Sequence, residues 1–254
     1  MAERTEYAPG TPSWVDLTTP NLEAALAFYG GLFGWEFEDA GEEAGHYHQA
    51  LLRGKRVAGL GPAQAGGSPT AFWTTYFSGT DVDAHAAAVT EAGGAVLFGP
   101  LDVMDQGRML VGRDPAGAVF GIWQPQAHVG AQIVNEHAAL AWNELIGKDV
   151  EGAAKFYGAV FGLAFAELPD APPGVAYRLM QVGEAVVGGI SGMAGDAPPH
   201  WLTYFMFDDV DAGFARVLEL GGEVHGEPVD SPYGRYARVS DPQGAHFALI
   251  AASS

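Results

Sequence analysis

The chain has 254 residues, of which 48% are hydrophobic, and it carries no cysteine and a formal net charge of −19. A chain of this size and apolar content can bury one large core or two smaller ones, which excludes a disulfide scaffold and a disordered protein. The negative surface repels phosphate backbones and anionic lipid headgroups, so neither nucleic acid nor membrane is an expected partner. Without thiolates, any metal would have to be held by His, Asp or Glu.

The opening segment, 1–12, is expected to be an N-terminal extension. It contains charged residues and no apolar run of the length that a secretory signal or a membrane span needs. The sequence therefore predicts a cytoplasmic protein, with non-standard export left open.

The two halves of the chain repeat each other in the same order. Segments 14–34, 73–83 and 107–117 align with 142–162, 201–211 and 234–244, with a one-residue gap before the last pair. A repeat this long indicates domain duplication, because solenoid repeats run only about 20 to 50 residues. We predict a first domain over 13–126, a linker over 127–136 and a second domain over 137–254.

Strand and helix periodicities alternate along each half. The first half predicts a strand at 13–18, a helix after the N-cap Asn21, two strands at 46–53 and 55–61, and a strand at 72–79. Asp81 then caps a second helix that should end at Gly93 in the left-handed region, and strands follow at 108–113 and 119–124. The second half repeats this order, with Asp149 and Asp209 as the caps.

Four runs carry a resemblance to a known family: 14–17, 21–29, 76–83 and 114–118. Together they resemble the vicinal oxygen chelate superfamily, which comprises glyoxalase I, bleomycin-resistance proteins and extradiol dioxygenases. The resemblance extends over 13–251, and more narrowly the sequence is similar to two-domain actinobacterial proteins labelled glyoxalase-like or hydroxylase. It implies an α+β fold of four βαβββ modules paired into two glyoxalase-like domains. Each mixed sheet would curl around a cleft that holds a small ligand.

The resemblance also implies a divalent metal that chelates two neighbouring substrate oxygens, held by His, Gln or Glu at set strand positions. Here those positions are Trp14, Thr74, Gly121, Trp142, Leu202 and Ala248. None supplies an ordinary ligand, although Thr74 could bind weakly. We therefore predict no cofactor and no metal at the usual site. The open alternative is a displaced site that combines Asp16 or Glu144 with a histidine and takes Mg, Mn or Fe(II).

Acids remain in both predicted clefts. Asp16 and Glu144 lie two residues beyond Trp14 and Trp142, so strand alternation puts each carboxyl on the same face as its indole. A carboxyl desolvated against an indole can act as a general acid or base near neutral pH. Alternatively, it only binds backbone or tyrosine groups and holds the sheet together. The predicted catalytic set is Glu144, Asp16, Tyr204 and Tyr76.

A second set of residues is predicted to bind the ligand. Trp14 and Trp142 would form aromatic walls unless they belong to the core. The spacing of His46 and His48 could suit a metal, but the two lack a third ligand. The predicted substrate-binding set is Trp14, Trp142, His48, Arg178, Arg108, Arg235 and His246.

The paired arginines have an alternative role as surface ion pairs. Arg108 and Arg235 follow equivalent glycines, where they could clamp an anionic group or pair with Asp102 and Asp230. The remaining histidines, among them His128 and His200, are expected on the surface or in loops.

Three functions follow from these observations. The first is a glyoxalase-like or hydroxylase-type enzyme that acts on a small carbonyl or aromatic metabolite by acid–base chemistry. The second is a non-catalytic binding protein of the bleomycin-resistance type, and the third is a metal-dependent lyase or dioxygenase with a displaced metal. Because both halves can pair within one chain, a monomer would be sufficient and a dimer remains possible.

Overall fold

The computed structural model describes residues 3–64, 66, 68–169, 174–192 and 197–252. The first half contains eight strands and two α-helices, with a short 3₁₀ turn at Glu42–Ala44. In chain order these elements are β1 (Pro12–Thr19), α1 (Leu22–Phe33), β2 (Glu36–Asp39), β3 (His48–Leu52), β4 (Lys55–Pro62), β5 (Phe72–Ser78), α2 (Val82–Glu91), β6 (Ala95–Val103), β7 (Gly107–Arg113) and β8 (Val119–Pro125).

The second half repeats the first with one additional short strand. Its elements are β9 (Leu140–Gly147), α3 (Val150–Phe161), β10 (Ala164–Glu167), β11 (Tyr177–Val182), β12 (Ala185–Gly192), β13 (His200–Met206), α4 (Val210–Glu219), β14 (Glu223–Val224), β15 (Val229–Ser231), β16 (Gly234–Ser240) and β17 (His246–Ile250).

Each half forms one mixed sheet with the same strand order. The first sheet runs β2-β3-β4-β1-β5-β8-β7-β6, and the second runs β10-β11-β12-β9-β13-β17-β16-β14, with β15 paired to β16. The central strand β1 is parallel to β4 and antiparallel to β5, and β9 stands in the same relation to β12 and β13. The predicted α+β class and tandem arrangement are confirmed.

The helices begin where the sequence predicts. Asn21, Asp81, Asp149 and Asp209 each accept a backbone N–H from the first turn of their helix. The end of α2 differs from the prediction, because its C-cap Ala92 is right-handed and Gly93, with φ +89°, lies one residue later. None of the described helices is long and apolar enough to cross a membrane.

The two halves share their hydrophobic cores. Helix α1 contacts α4, and α2 contacts α3, so the helical faces of the two sheets are turned toward each other. Phe28 and Phe33 of the first half pack with Phe205 and Phe247 of the second. This burial of aromatic surface joins the halves through the helical faces of their sheets.

Equivalent tyrosines bind the halves together within these cores. The Tyr29 hydroxyl donates to Asp241 Oδ2 at 3.1 Å and accepts from the indole of Trp73 at 3.0 Å. Tyr157 makes the matching contacts with Asp114 and Trp201. The tryptophans Trp73 and Trp201 therefore lie on the helical side of their sheets, as strand alternation predicts.

Candidate active site: two clefts with the same polar core

Sheet register defines two clefts on the faces turned away from the helices. Asp16 lies opposite Gly59 on β4 and Thr74 on β5, and Trp14 lies opposite Tyr76. We call the face that these residues share the first cleft. The equivalent face of the second sheet, which carries Trp142, Glu144 and Tyr204, is the second cleft.

A carboxyl group held by two tyrosines lies in the first cleft. The Asp16 carboxyl accepts hydrogen bonds from Tyr76 and Tyr47, and the Trp14 indole donates to the Tyr47 hydroxyl at 3.0 Å. Burial raises the pKa of Asp16 to about 7, although the tyrosine hydrogen bonds favour the charged form. At neutral pH this carboxyl can therefore either donate or accept a proton.

The second cleft repeats the arrangement around Glu144, which is only 7% exposed. The Tyr204 hydroxyl donates to Glu144 Oε2 at 2.9 Å, and Tyr177 is hydrogen-bonded to both Glu144 and Trp142. Burial raises the pKa of Glu144 against the opposing effect of these tyrosines and of Arg238, whose Nη2 lies 4.0 Å from Oε2.

The sequence analysis missed the second tyrosine of each cleft. Tyr47 and Tyr177 occupy aligned positions of the two halves, whereas the residues on either side of them differ. This identity is the sequence signal that could have identified both tyrosines as site residues. Each tyrosine lies across a glycine of the neighbouring strand. A Cβ built on Gly59 would lie 1.6 Å from the Tyr47 hydroxyl, and one on Gly189 would lie 2.0 Å from that of Tyr177. The glycines are what allow both rings to lie flat over the sheet.

The positions that would carry metal ligands do not fit a divalent ion. In the first cleft the ring of Tyr76 covers Gly121, and a Cβ there would meet Tyr76 Cδ1 at 2.1 Å. In the second cleft Ala248 lies opposite Tyr204 and is fully buried. Within the described part of the chain, no three His, Asp or Glu side chains are grouped so that they could hold a metal. The other four positions at which the resemblance expects metal ligands also carry no ordinary metal-binding side chain. They are Trp14, Thr74, Trp142 and Leu202.

Two buried polar atoms in the first cleft have no hydrogen-bond partner among the described residues. They are Nε2 of His128 and Oε1 of Gln49. Gln49 lies opposite Gly59, on the same face as Asp16. The His128 ring lies 4.3 Å from that of Trp14 and 5.4 Å from that of Trp123. Unpaired buried polar atoms are costly, so these two are candidates to contact a ligand.

His128 lies in a loop, one of the two placements expected for it, but it is buried because the segment after β8 folds back over the first sheet. The backbone of His128 accepts from the Trp123 indole at 2.7 Å, and Ala131 N donates to Ser13 O at 2.8 Å. Burial lowers the pKa of His128 to about 4, aided by the positive charge of Arg56. The imidazole is therefore neutral at pH 7.

The structure contradicts the predicted cleft positions of His48 and Arg178. His48 lies opposite Leu60 and Arg178 opposite Ile190, both of which are core residues on the helical side. Alternation explains the error, because Tyr47 and Tyr177 take the cleft face and their neighbours must point the other way. Arg178 instead pairs with Glu151 at 2.6 Å.

The suggested His46 and His48 pair does not form a metal site. His46 Nδ1 contacts the Asp39 carboxylate at 2.9 Å on the exposed edge of the sheet, whereas His48 Nδ1 contacts the His46 carbonyl oxygen at 2.7 Å.

The arginines predicted as ligand clamps form surface ion pairs instead. Arg108 contacts Asp83 in the first turn of α2 and Asp102 at 2.8 Å. Arg235 contacts Asp211, in the first turn of α4, and Asp230, each at 2.9 Å. The ion-pair alternative is therefore the one observed, and neither guanidinium faces a cleft.

His246 lies on the face of the second cleft, two residues before Ala248 on β17. Its ring is 4.6 Å from that of His225, which the sequence analysis did not connect with it. Burial lowers the pKa of His246, and the neighbouring His225 and His200 lower it further. Trp14 is almost fully buried, whereas Trp142 is partly exposed, so only the second indole presents a broad surface to solvent.

Two surface depressions among the described residues lie outside the clefts and carry no comparable chemistry. The turn at 114–117 lines both, and residues of α3 line one of them. Its one buried acid, Asp114, accepts three backbone N–H groups at Oδ1 and the Tyr157 hydroxyl at Oδ2. Asp114 thus holds the turn and the core together.

Comparison with known proteins agrees with this architecture. The model of the Glyoxalase/Bleomycin resistance protein/Dioxygenase superfamily matches residues 11–122 and 136–249. The chain is 43% identical over 258 residues to CFP32 of Mycobacterium tuberculosis, which carries the provisional name of a glyoxylase, and the match covers 98% of each chain. It is 38% identical over 264 residues to the anthracycline biosynthesis protein DnrV of Streptomyces peucetius, covering 97% of this chain and 94% of DnrV.

Solved structures share the fold at low sequence identity. The Mn(II)-bound glyoxalase of Novosphingobium aromaticivorans matches with a TM-score of 0.66 at 18% identity, over 96% of this chain and 82% of that one. The 2,2',3-trihydroxybiphenyl 1,2-dioxygenase of Sphingomonas wittichii matches with a TM-score of 0.65 at 17% identity, over 96% and 91%. The duplicated sheets, the family model and the full-length relatives together show that the chain belongs to the Glyoxalase/Bleomycin resistance protein/Dioxygenase superfamily.

Proposed function

We propose that the protein converts a small aromatic or carbonyl compound by acid–base catalysis in its clefts. Asp16 and Glu144 are the proposed proton donors and acceptors, and the tyrosines beside them are the proposed hydrogen-bond donors. The observation that carries this proposal is a buried carboxyl held between two tyrosine hydroxyls and beside an indole, in both halves of the chain.

The chemistry that suits this group is proton transfer next to a carbonyl. A carboxylate such as that of Asp16 takes the proton from the carbon beside the carbonyl, and the electron pair of the broken C–H bond moves onto the carbonyl oxygen. Burial and the charge of Asp16 keep the pKa of Tyr76 well above its usual value, so this hydroxyl stays protonated. Once Asp16 has taken the proton, the single hydroxyl proton of Tyr76 can turn from Asp16 and be donated to that oxygen. In an α-hydroxy carbonyl compound such as a hemithioacetal, the hydroxyl proton passes to the former carbonyl oxygen and a new C=O forms at the first carbon. Asp16 then returns its proton to the former carbonyl carbon, which completes an isomerisation.

The proposal uses no metal, since the side chains at the usual ligand positions do not fit one. Elemental analysis of protein purified without an affinity tag tests this directly. The proposal requires substoichiometric metal before and after incubation with Mn, Fe(II), Ni and Zn. Stoichiometric metal that is lost in Glu144→Gln would instead support the displaced-metal alternative.

Two relatives suggest the first compounds to try. The name of DnrV points to anthracyclines, whose planar rings suit aromatic walls, and that of CFP32 points to glyoxalase substrates. An anthracycline and the hemithioacetal of methylglyoxal are therefore the starting probes. Conversion is followed by absorbance, and binding by quenching of tryptophan fluorescence.

The decisive variants are Asp16→Asn, Glu144→Gln and their combination. We expect the double variant to lower conversion by about 10²- to 10⁴-fold, the usual contribution of a general acid or base, while the dissociation constant changes by less than about threefold. The single variants show which cleft works. Equal losses of binding and conversion would mean that the carboxyls only bind the ligand.

The second candidate is a binding protein that performs no chemistry. The unpaired His128 Nε2 and Gln49 Oε1 favour it, because a ligand could satisfy both atoms without any proton transfer. Tight binding of a probe with no conversion, in wild type and in Asp16→Asn alike, would establish this function.

A further inference from the structure

The walls that face the two carboxyls differ in chemistry although the carboxyl sites are the same. In the first cleft three wall positions are apolar, and in the second the aligned positions are basic. The aligned pairs are Phe72 with His200, Val111 with Arg238, and Val119 with His246.

All three basic residues share the face of Glu144. His200 lies opposite Ile146, which is two residues from Glu144 on β9. Arg238 lies opposite Ala248 on β17, and His246 lies two residues before Ala248 on the same strand. Because alternate residues of a strand point to the same side, these side chains line the second cleft.

The guanidinium of Arg238 is available for a ligand. Its side chain is 47% exposed, and its nearest acid among the described residues is Glu144 at 4.0 Å, beyond direct hydrogen-bond distance. Arg238 also lies 5.9 Å from the centroid of the Tyr236 ring and is hydrogen-bonded to Tyr204. By contrast, Arg235 on the other face of the same strand is fully engaged by Asp211 and Asp230.

A third imidazole extends the basic wall. His225 follows β14, its ring lies 4.6 Å from that of His246, and its Nε2 is 3.0 Å from Ser240 Oγ. The acids that act on this wall are Glu144, beside Arg238, and Glu223, which acts on His246. A concentration of basic side chains is unexpected on a chain with a net charge of −19, and it distinguishes this cleft from the rest of the chain.

We propose that the second cleft binds an aromatic carboxylate, with the carboxylate on Arg238 and the neighbouring imidazoles. Arginine suits a carboxylate because its planar fork donates two parallel hydrogen bonds. The partly exposed Trp142 and Tyr236 offer surface for the ring. This proposal rests on the proposed function in one respect only, because both treat the clefts as binding sites for small molecules.

Two probes of the same shape test the charge selectivity. Naphthalene-2-carboxylate and naphthalene-2-carboxamide differ in charge and hardly in size, and calorimetric titration measures the binding of each at pH 7. We expect the wild type to bind the carboxylate at least about tenfold more tightly than the amide, consistent with a charge-assisted hydrogen bond. Arg238→Gln should remove this preference and leave the affinity for the amide within about twofold.

Arg235→Gln is the matched control, since it removes the same charge from the other face of β16 and should keep the preference. Arg238→Lys retains the positive charge without the planar guanidinium and should show an intermediate preference for the carboxylate. A thermal melt of each variant confirms that it is folded. Three outcomes would overturn the proposal. The wild type binds the two probes equally, it binds neither, or Arg235→Gln loses the preference as much as Arg238→Gln does. Because the readout is binding, these outcomes are independent of the conversion lost in Asp16→Asn.

Discussion

The first and second clefts contain the same carboxyl, tyrosine and indole groups in different surroundings. Asp16 faces an apolar wall in which Val111 takes the place of the arginine, whereas Glu144 has Arg238 nearby. The repeated part is the set of hydrogen-bonded polar groups, in which loss of one member leaves another unpaired. The first half keeps its carboxyl and tyrosine contacts with Val111 in place of Arg238, so the walls differ while the repeated set is retained.

The largest expected effect concerns the cost of burying the Asp16 charge. Burial raises its pKa from 3.8 to about 7, so between these values the folded state binds a proton that the unfolded state has released. The free energy of unfolding should therefore fall as pH rises from about 4 to about 7, and the loss should be complete above that range. Asp16→Asn removes this dependence, with an upper limit on the order of 4 kcal/mol. Urea unfolding of both proteins at pH 5 and pH 8 measures it.

Glu144→Gln is the comparison for this prediction. The pKa of Glu144 is also raised, but Arg238 opposes the shift, so we expect the same sign with a smaller pH dependence. If the stability difference between wild type and Asp16→Asn is the same at both pH values, the charge of Asp16 is not buried in the folded protein.

The glycines beneath the tyrosines should show the next largest effect. In Gly59→Ala or Gly189→Ala the new methyl group overlaps the tyrosine hydroxyl, so the ring must move away from its carboxyl and its indole. We expect each variant to lower the free energy of unfolding by about 1–3 kcal/mol. Gly147→Ala, whose Cβ would meet Pro199 at an ordinary 3.6 Å, is the control. Equal stability of all three variants would show that the tyrosines are not confined by these glycines.

The smallest effect is expected at the outer arginines. Arg108→Gln and Arg235→Gln each remove exposed ion pairs, which contribute about 0–1 kcal/mol, and neither side chain faces a cleft. Thermal unfolding should shift little, and the binding of any cleft ligand should not change. Loss of ligand binding in either variant would mean that the arginine binds the ligand after all, as the sequence predicted, and does not serve only as a surface ion pair.

Local patterns were sufficient to predict a large part of this protein. The caps at Asn21 and Asp149 and the shared face of Asp16 and Trp14 depend on residues close together in sequence, and the internal repeat is visible when the two halves are aligned. Because side chains alternate with a period of two along a strand, the prediction that Asp16 and Trp14 share a face does not depend on which strands become neighbours. The same rule would have assigned Tyr47 to the cleft and His48 to the core, had the starting face of β3 been known.

What the sequence by itself determined is the duplication, the superfamily pattern, the loss of ordinary metal ligands at the usual positions and one acid in each cleft. Only the tertiary structure decided which partners those acids have. Tyr177 of β11 reaches Glu144 of β9 across β12, Arg238 comes from β16, and His128 reaches Trp14 through the segment that folds back over the first sheet. These contacts join residues far apart in the chain, and their formation depends on strand order and register, which local periodicity does not encode.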